Sequence, residues 1–109
     1  MKYFFTLIFL LSLSLSTSAK AGNTGYGTLH TPHFMGNGIL IISNNGVRNN
    51  PPACASSERF TIDMTTPEGK AQLTGLMTAY STGKQVRMFG KDTCNQWPDS
   101  EELSYFYFN

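Results

Sequence analysis

Charge is scarce in this sequence, and no strongly basic or acidic stretch interrupts it. Charged residues make up 14% of the 109 residues, with eight Lys and Arg against seven Asp and Glu. Phosphate-rich partners are recognised by clustered positive charge, so the composition argues against nucleic acid or an anionic membrane as the main partner. Long apolar runs are equally scarce. The longest one, near the N terminus, is shorter than the roughly 20 residues that a membrane-spanning helix needs.

Residues that build catalytic and metal sites are also few. The two histidines, His30 and His33, lie in a segment that predicts strand or loop, without a neighbouring cysteine or carboxylate to complete a metal site. Ser81 lacks the Gly-x-Ser-x-Gly context of a serine hydrolase. The acidic residues near the C terminus are Asp99, Glu101 and Glu102. They lack the pattern of a calcium loop and predict a solvated turn, so we expect no metal, no cofactor and no enzymatic activity.

The N terminus has the pattern of a secretory signal peptide. Lys2 supplies a positive charge, residues 3–13 form a short apolar core, and residues 19–21 read Ala-Lys-Ala, which matches the small-x-small cleavage rule. We therefore predict that residues 1–21 are removed and that Gly22 begins the mature chain. The alternative is that this segment is retained as an N-terminal anchor.

Export would set the charge and the redox state of the mature protein. Residues 22–109 form one small domain, and loss of Lys2 and Lys20 leaves six basic residues against seven acidic ones. In the bacterial periplasm or outside the cell, where conditions are oxidising, Cys54 and Cys94 are expected to form a disulfide. On the chain-entropy model, closing a loop of this length destabilises the unfolded state by about 4 kcal/mol. After cleavage we expect no membrane span.

The mature sequence alternates strand and turn signals around one helix. The expected strands lie within residues 26–35, 39–42, 59–64, 84–89 and 103–108, and residues 47–48 begin a return strand after the Asn-Asn-Gly turn. Pro32 should confine the first strand to an edge of the sheet because it has no backbone donor. Phe60 and Ile62 alternate with Thr61 and Asp63, which predicts a strand with one buried and one polar face.

The helix is expected over residues 67–82. Its apolar stripe consists of Leu73, Leu76, Met77 and Tyr80 at helical spacing. Thr65 or Thr66 can cap its start, Glu68 completes a capping box with Thr65, and Gly83 marks its end. The order of elements indicates an α+β fold, mainly β, in which one helix covers a small antiparallel sheet.

Short motifs in the second half of the chain carry a family resemblance. They are Ala-Cys at 53–54, Tyr-Ser-Thr-Gly-Lys at 80–84 and Val-Arg-Met at 86–88. This part resembles the B subunit of subtilase cytotoxin and the related pertussis-like toxin B subunits. Thr-Pro-x-Gly-Lys at 66–70 and Cys-x-x-Trp-x-Asp-x-Glu at 94–101 are similar to a wider set of small exported bacterial proteins of unassigned function. The second likeness covers nearly all of the mature chain.

The resemblance implies a five-stranded barrel of the oligonucleotide/oligosaccharide-binding (OB) type with one helix. In the toxin subunits this fold forms a pentameric ring that binds sialylated glycans. For this chain the resemblance implies a non-enzymatic, exported binding module. Its partner would be a glycan or another protein, and it can form a homo-oligomer. Tyr80 is the position that matches the toxin pattern of an aromatic residue before Ser-Thr-Gly. The serine-containing glycan site near the N terminus of those subunits has no counterpart here.

Aromatic residues are the best candidates for ligand contact. Besides Tyr80, they are Trp97, Tyr105 and Tyr107, since exposed rings stack on sugars and anchor protein interfaces. The alternative is that Trp97 covers one end of the barrel beside the disulfide and that the tyrosines fill the last strand. Both interpretations remain open from the sequence.

Two other functions also remain open. A periplasmic enzyme or enzyme inhibitor would need a concave cluster of polar groups, for which the candidates are Asp99, Glu101, Arg87 and His30. A structural protein would use the aromatic strand at 103–108 to pair with another chain, and this predicts an exposed, unpaired strand edge.

Overall fold

Seven strands and one helix follow one another along residues 21–109, the part of the chain that the computed structural model describes. They are β1 (Asn23–Thr24), β2 (Leu29–Phe34), β3 (Ile39–Asn44), β4 (Arg48–Asn49), β5 (Phe60–Asp63), α1 (Pro67–Thr82), β6 (Val86–Gly90) and β7 (Glu101–Phe108). The predicted signal peptide, apart from Ala21, lies outside the described residues. Within them, no helix is long and apolar enough to cross a membrane.

The strands form one curled mixed sheet in the order β2-β3-β5-β7-β6-β1-β4. All neighbouring strands are antiparallel except β5 and β7, which run parallel. β1 and β2 follow each other in the chain, yet β1 pairs with β6 and β2 pairs with β3. A bridge between Gly27 and Val86 extends the contact with β6. One short stretch of backbone therefore reaches two distant strands, and the sheet curls into a half-barrel.

The expectation of five strands, all antiparallel, is wrong in two respects. The first is the parallel pair. The second is the number of strands, since β1 is not among the expected strands and the return strand predicted from residues 47–48 is present as the separate strand β4. β4 does follow the Asn-Gly turn, but it pairs with β1 instead of returning along β3. The reason is that residues 25–28 form backbone hydrogen bonds with the turn. The Gly25 N–H donates to the Val47 carbonyl, and the Asn45 N–H donates to the Thr28 carbonyl. Pro32 lies in β2, at the end of the sheet order, as predicted.

The helix has the predicted bounds, but one detail of its capping differs. The Thr66 hydroxyl accepts from the Gly69 N–H at 3.0 Å, and Gly83 ends the helix with a φ of 68°. The capping box between Thr65 and Glu68 is wrong. Thr65 does not cap the helix because its hydroxyl donates to the Asp63 carboxylate at 2.6 Å.

The apolar core lies between α1 and the concave side of the sheet. Its buried residues are Leu29, Leu40, Ile42, Phe60, Ile62, Leu76, Ala79, Val86, Met88 and Leu103. A Cβ at Gly75 would come within 2.7 Å of the Phe106 ring, so this glycine lets the helix lie directly on β7. Thr61, expected on a polar face, is fully buried, and its hydroxyl donates to the Gln96 side-chain carbonyl at 3.0 Å.

The two cysteines form the predicted disulfide. The Cα atoms of Cys54 and Cys94 are 6.1 Å apart, and 40 positions separate them in sequence. The bond joins the loop before β5 to the loop between β6 and β7. No strand pairing joins these two loops in the described part of the chain. The disulfide therefore links two loops that the sheet itself does not connect.

Candidate functional site

In the described part of the chain, three exposed tyrosines lie together on one side of β6 and β7. The register pairs Arg87 with Tyr107 and Phe89 with Tyr105. Cross-strand partners point to the same side of a sheet, so these four side chains share one surface. Together with Tyr26 from the loop after β1, they are called here the aromatic face.

The rings of the aromatic face contact one another. The Phe89 and Tyr105 rings stack with centroids 4.5 Å apart and planes 8° from parallel, and the Tyr107 centroid is 5.6 Å from that of Phe89. Tyr26 meets Tyr107 edge-to-face at 5.9 Å. Tyr105 nevertheless keeps 52% of its surface exposed, and Tyr26 and Tyr107 keep 42% and 40%. The contacts hold the rings in place while leaving much of their surface available to a ligand.

Arg87 supplies the positive charge of the aromatic face. Its guanidinium carbon lies 5.2 Å from the Phe89 ring centroid, a distance typical of a cation–π contact. Its Nε donates to the Thr24 carbonyl at 3.1 Å, and Nη1 lies 3.5 Å from the Tyr107 hydroxyl. The guanidinium is thus oriented beside the rings, where its remaining donors can bind hydroxyl or carboxylate groups of a ligand.

The structure brings together only two of the four aromatic residues singled out from the sequence. Tyr105 and Tyr107 belong to the aromatic face. Tyr80 is 45% exposed but lies on α1, which packs against the opposite side of β7. Trp97 is half-buried in the loop before β7, where its carbonyl accepts from the Ser100 N–H.

Sequence reasoning missed Tyr26 and Phe89 as members of this surface. For Phe89 a signal was present, because it alternates with the buried Val86 and Met88 and must point to the other side of its strand. For Tyr26 there was none, since its place depends on how the residues before β2 cross to β6. That crossing is a property of the whole sheet.

Glu101 is completely buried and is the centre of a polar cluster. Its Oε1 accepts from Arg48 Nη2 at 2.6 Å, and its Oε2 accepts from the backbone nitrogens of Gly22 and Asp92 at 3.0 and 2.8 Å. The Arg48 guanidinium also lies 4.1 Å from the centroid of the Phe60 ring. A buried carboxylate is stable only when such donors satisfy it.

Glu102 is also buried, and it organises the loop that carries Cys94. Its Oε1 accepts from the backbone N–H groups of Asn95 and Gln96 at 2.7 and 3.0 Å, and its Oε2 accepts from the Thr93 hydroxyl. The expected solvated acidic turn is therefore wrong for both glutamates. Both glutamates lie at the start of β7 and are buried. Their burial is tolerated because backbone donors and an arginine compensate for the loss of hydration.

Asp99 alone among the three acidic residues stays near the surface. It forms an ion pair with Arg59, with distances of 3.1 and 3.3 Å to Nη2. The Ser100 hydroxyl donates to its Oδ1 at 2.8 Å, and this bond is the main reason that the pKa of Asp99 lies below its ordinary value.

The polar groups proposed for an enzyme or inhibitor do not form one cluster. Asp99 pairs with Arg59, Glu101 with Arg48, Arg87 with the Thr24 carbonyl, and His30 with the Thr31 hydroxyl. Across residues 21–109, no hydrogen bond or ion pair joins any two of Asp99, Glu101, Arg87 and His30. In the same range no three His, Cys, Asp or Glu side chains are arranged to hold a metal ion.

A polar cavity of about 250 Å³ opens beside the start of α1. Its lining includes Asp63, Glu68, Gln72 and Lys91. Two donations from Thr65, one from its hydroxyl and one from its backbone N–H, hold the pKa of Asp63 below its ordinary value. The cavity could hold a small polar molecule, but it contains no aromatic ring.

β7 has strand partners on both sides only at its start. It lies between β5 and β6 in the sheet, and residues 103–108 pair with β6. On the other side, the Gln72 side-chain amide donates to the Ser104 carbonyl at 2.8 Å. Pairing with β5 stops at Glu102, so among the described residues this side of residues 103–108 has no strand partner, and the alternative of pairing with another chain stays a prediction. No protein-family model, curated protein or solved structure matches this chain.

Proposed function

We propose that this protein is an exported, non-enzymatic binding module that holds a glycan on its aromatic face. The observation that carries the proposal is the grouping of three half-exposed tyrosines with Phe89 and Arg87 on one side of β6 and β7. The helix and the core occupy the other side of the same strands. A surface of this composition is typical of sites that combine apolar contact with hydrogen bonding.

The chemistry of the aromatic face suits a sugar. One face of the Tyr105 ring packs on Phe89, so its exposed half comprises the other ring face and the hydroxyl edge. A pyranose ring has an apolar face of C–H groups that packs on such a ring, and hydroxyls that bond to polar neighbours. The Tyr107 hydroxyl and the Arg87 guanidinium lie on the same side of the sheet, beside Phe89, and can supply such polar contacts. The arginine would favour a glycan that carries a carboxylate.

The topology supports an OB-like barrel as the scaffold. If residues 23–34 count as one irregular strand, the sheet contains five long strands, and the first of them pairs with both the second and the fourth. Closure of a five-stranded barrel requires this double pairing. The single helix between the third and fourth strands agrees with the fold implied by the resemblance to toxin B subunits. The same resemblance favours a glycan ligand and a homo-oligomer.

Export is the remaining part of the proposal. The signal-peptide pattern at residues 1–21 predicts it, and the disulfide between Cys54 and Cys94 favours an oxidising compartment. We therefore place the protein in the periplasm or outside the cell. There the available partners include cell-surface glycans and other exported proteins.

A glycan array tests the proposal directly when three proteins are compared: the processed protein, Tyr105→Ala and Tyr80→Ala. Both tyrosines are about half exposed, but only Tyr105 belongs to the aromatic face. We expect binding by the unsubstituted protein and by Tyr80→Ala, and at least a tenfold loss for Tyr105→Ala. Loss of binding in Tyr80→Ala alone would move the site to the position matched by the toxin pattern.

The oligomeric state is measured on the same samples by size-exclusion chromatography with light scattering. A ring or dimer that binds glycans would support the resemblance to toxin B subunits. A strict monomer that binds nothing on the array would overturn the lectin proposal and leave a protein partner for the aromatic face.

A further inference from the structure

The backbone nitrogen of Gly22 points into the buried cluster around Glu101. It donates to Glu101 Oε2 at 3.0 Å, across 79 positions of sequence, and the Gly22 carbonyl accepts from the Gly90 N–H at 2.7 Å. Ala21, one residue earlier, is exposed. The chain thus passes from solvent into a buried polar site at the peptide bond that the sequence pattern marks for cleavage.

Only glycine fits at this position. A Cβ on residue 22 would overlap Arg48 Nη1 and Glu101 Oε1. The two oxygens of Glu101 also have different partners, since Oε1 binds Arg48 while Oε2 faces Gly22 and the Asp92 N–H. Among the described residues Oε2 therefore accepts only from backbone donors, and Arg48 Nη1 lies beside the same position.

We propose that cleavage between Ala21 and Gly22 places the new ammonium group of Gly22 on Glu101 and so stabilises the correctly processed protein. Hydrolysis by a signal peptidase adds water across the peptide bond, leaving a carboxylate on Ala21 and an amine on Gly22 that takes up a proton. The neutral N–H donor at 3.0 Å becomes a charged donor at the same atom. Charge-assisted hydrogen bonds are about twice as strong as neutral ones.

A shift of the cleavage site by one residue in either direction would remove the contact between the ammonium group and Glu101. A chain that starts at Ala21 carries its charge one residue further out, at about 3.5 Å more along the backbone. A chain that starts at Asn23 lacks the donor altogether. The device depends on export but not on the aromatic face, so loss of glycan binding would leave it unaffected.

The stabilisation should depend on pH in a defined direction. A free α-amino group titrates near pH 7.7 to 8.0, and contact with the Glu101 carboxylate raises that pKa in the folded state, against the opposing effects of burial and of the nearby Arg48 guanidinium. The stabilisation is then complete below about pH 7.7 and is lost as the pH rises through the folded-state value. The charged side chains that face the ammonium position are Glu101 from β7 and Arg48 from β4, while Asp92, in the loop after β6, contributes its backbone N–H.

Two measurements test the inference. Mass spectrometry of the exported protein should show Gly22 as the first residue, and any other start would overturn the proposal. Thermal unfolding is then compared for chains that start at Gly22, at Ala21, and at Gly22 with an acetylated amine, all with the disulfide intact. At pH 6 we expect the free Gly22 chain to unfold about 4 °C higher than the other two, given that ~1 kcal/mol corresponds to roughly 4–8 °C in a domain of this size.

At pH 10 the three midpoints should converge. Equal midpoints at pH 6, or a difference that persists unchanged at pH 10, would overturn the proposal. The acetylated chain starts at the same residue and keeps the Gly22 N–H as a neutral donor, so it removes the charge without removing the donor. It therefore separates the ammonium from the effects of chain length.

Discussion

The Arg48 guanidinium and the Glu101 carboxylate meet at 2.6 Å inside the domain, with side chains that are 4% and 0% exposed. β4, which carries Arg48, has only two residues and lies at the end of the sheet. The ion pair fixes this short strand to the start of β7. At this end of the sheet a buried ion pair therefore holds a strand in place, whereas apolar packing does so for the strands that line the core.

Removal of one partner of this pair should destabilise the protein strongly. Arg48→Met would leave the Glu101 carboxylate buried without its guanidinium partner, a situation that typically costs about 3–5 kcal/mol. Urea unfolding at pH 7 measures the change. The matched control is Arg59→Met, which removes the exposed ion pair with Asp99 and should cost at most about 1 kcal/mol. Equal losses in the two variants would contradict the central role of the buried pair.

Gly90 should tolerate no side chain. A Cβ at this position would overlap the carboxylate of Glu101, so Gly90→Ala should lower the free energy of unfolding by roughly 1–3 kcal/mol, as overpacking does elsewhere. At Gly36 an added Cβ meets nothing within 4 Å, and Gly36→Ala should stay within about 0.5 kcal/mol of the unsubstituted protein. A Gly90→Ala variant as stable as Gly36→Ala would show that Glu101 lies elsewhere.

The disulfide should contribute a large share of the stability. Replacement of both Cys54 and Cys94 by alanine removes a link across 40 positions, and the chain-entropy model gives a loss of about 4 kcal/mol. Denaturant unfolding of the double variant measures the loss, and the reduced unsubstituted protein serves as a second sample. A change below about 1 kcal/mol would mean that the fold holds these loops without the bond.

Acid should weaken the contacts of Asp99. The Ser100 hydroxyl, and to a lesser extent Arg59, hold its pKa below the ordinary value of 3.8. A carboxylate with a lowered pKa stabilises the folded state above the unfolded-state value, and this contribution is lost as the pH falls through the folded-state value. Asp99→Asn should therefore flatten the stability profile below pH 4, measured by thermal unfolding between pH 2 and 6. An unchanged acid limb would contradict this assignment.

Much of the fold could be predicted from local sequence. The helix over residues 67–82 follows from one apolar stripe and from Gly83, whose positive φ an L-residue adopts only with strain. β3 follows from four successive apolar residues, and the disulfide follows from two cysteines in a chain whose sequence predicts export. These features depend on interactions within one segment or on a single possible pairing.

The buried glutamates could not be predicted in this way. Glu101 is satisfied by Arg48, 53 positions away, and by Gly22, 79 positions away, and nothing within its own segment indicates either partner. Tyr80 is a candidate through its match to the toxin pattern, and its own segment does not indicate that it lies apart from Tyr105 and Tyr107. The side of β7 that each residue faces becomes clear only from the register with β6 and from the contact between Gly75 and Phe106.

The most direct test of the aromatic face is a ¹H–¹⁵N NMR titration of the processed protein with the glycan that binds most strongly on the array. We expect the largest shifts at the amides of Phe89, Tyr105 and Tyr107, with Tyr80 unaffected. Shifts concentrated on α1 or on the polar cavity near Asp63 and Lys91, with the aromatic face unchanged, would contradict the proposed site.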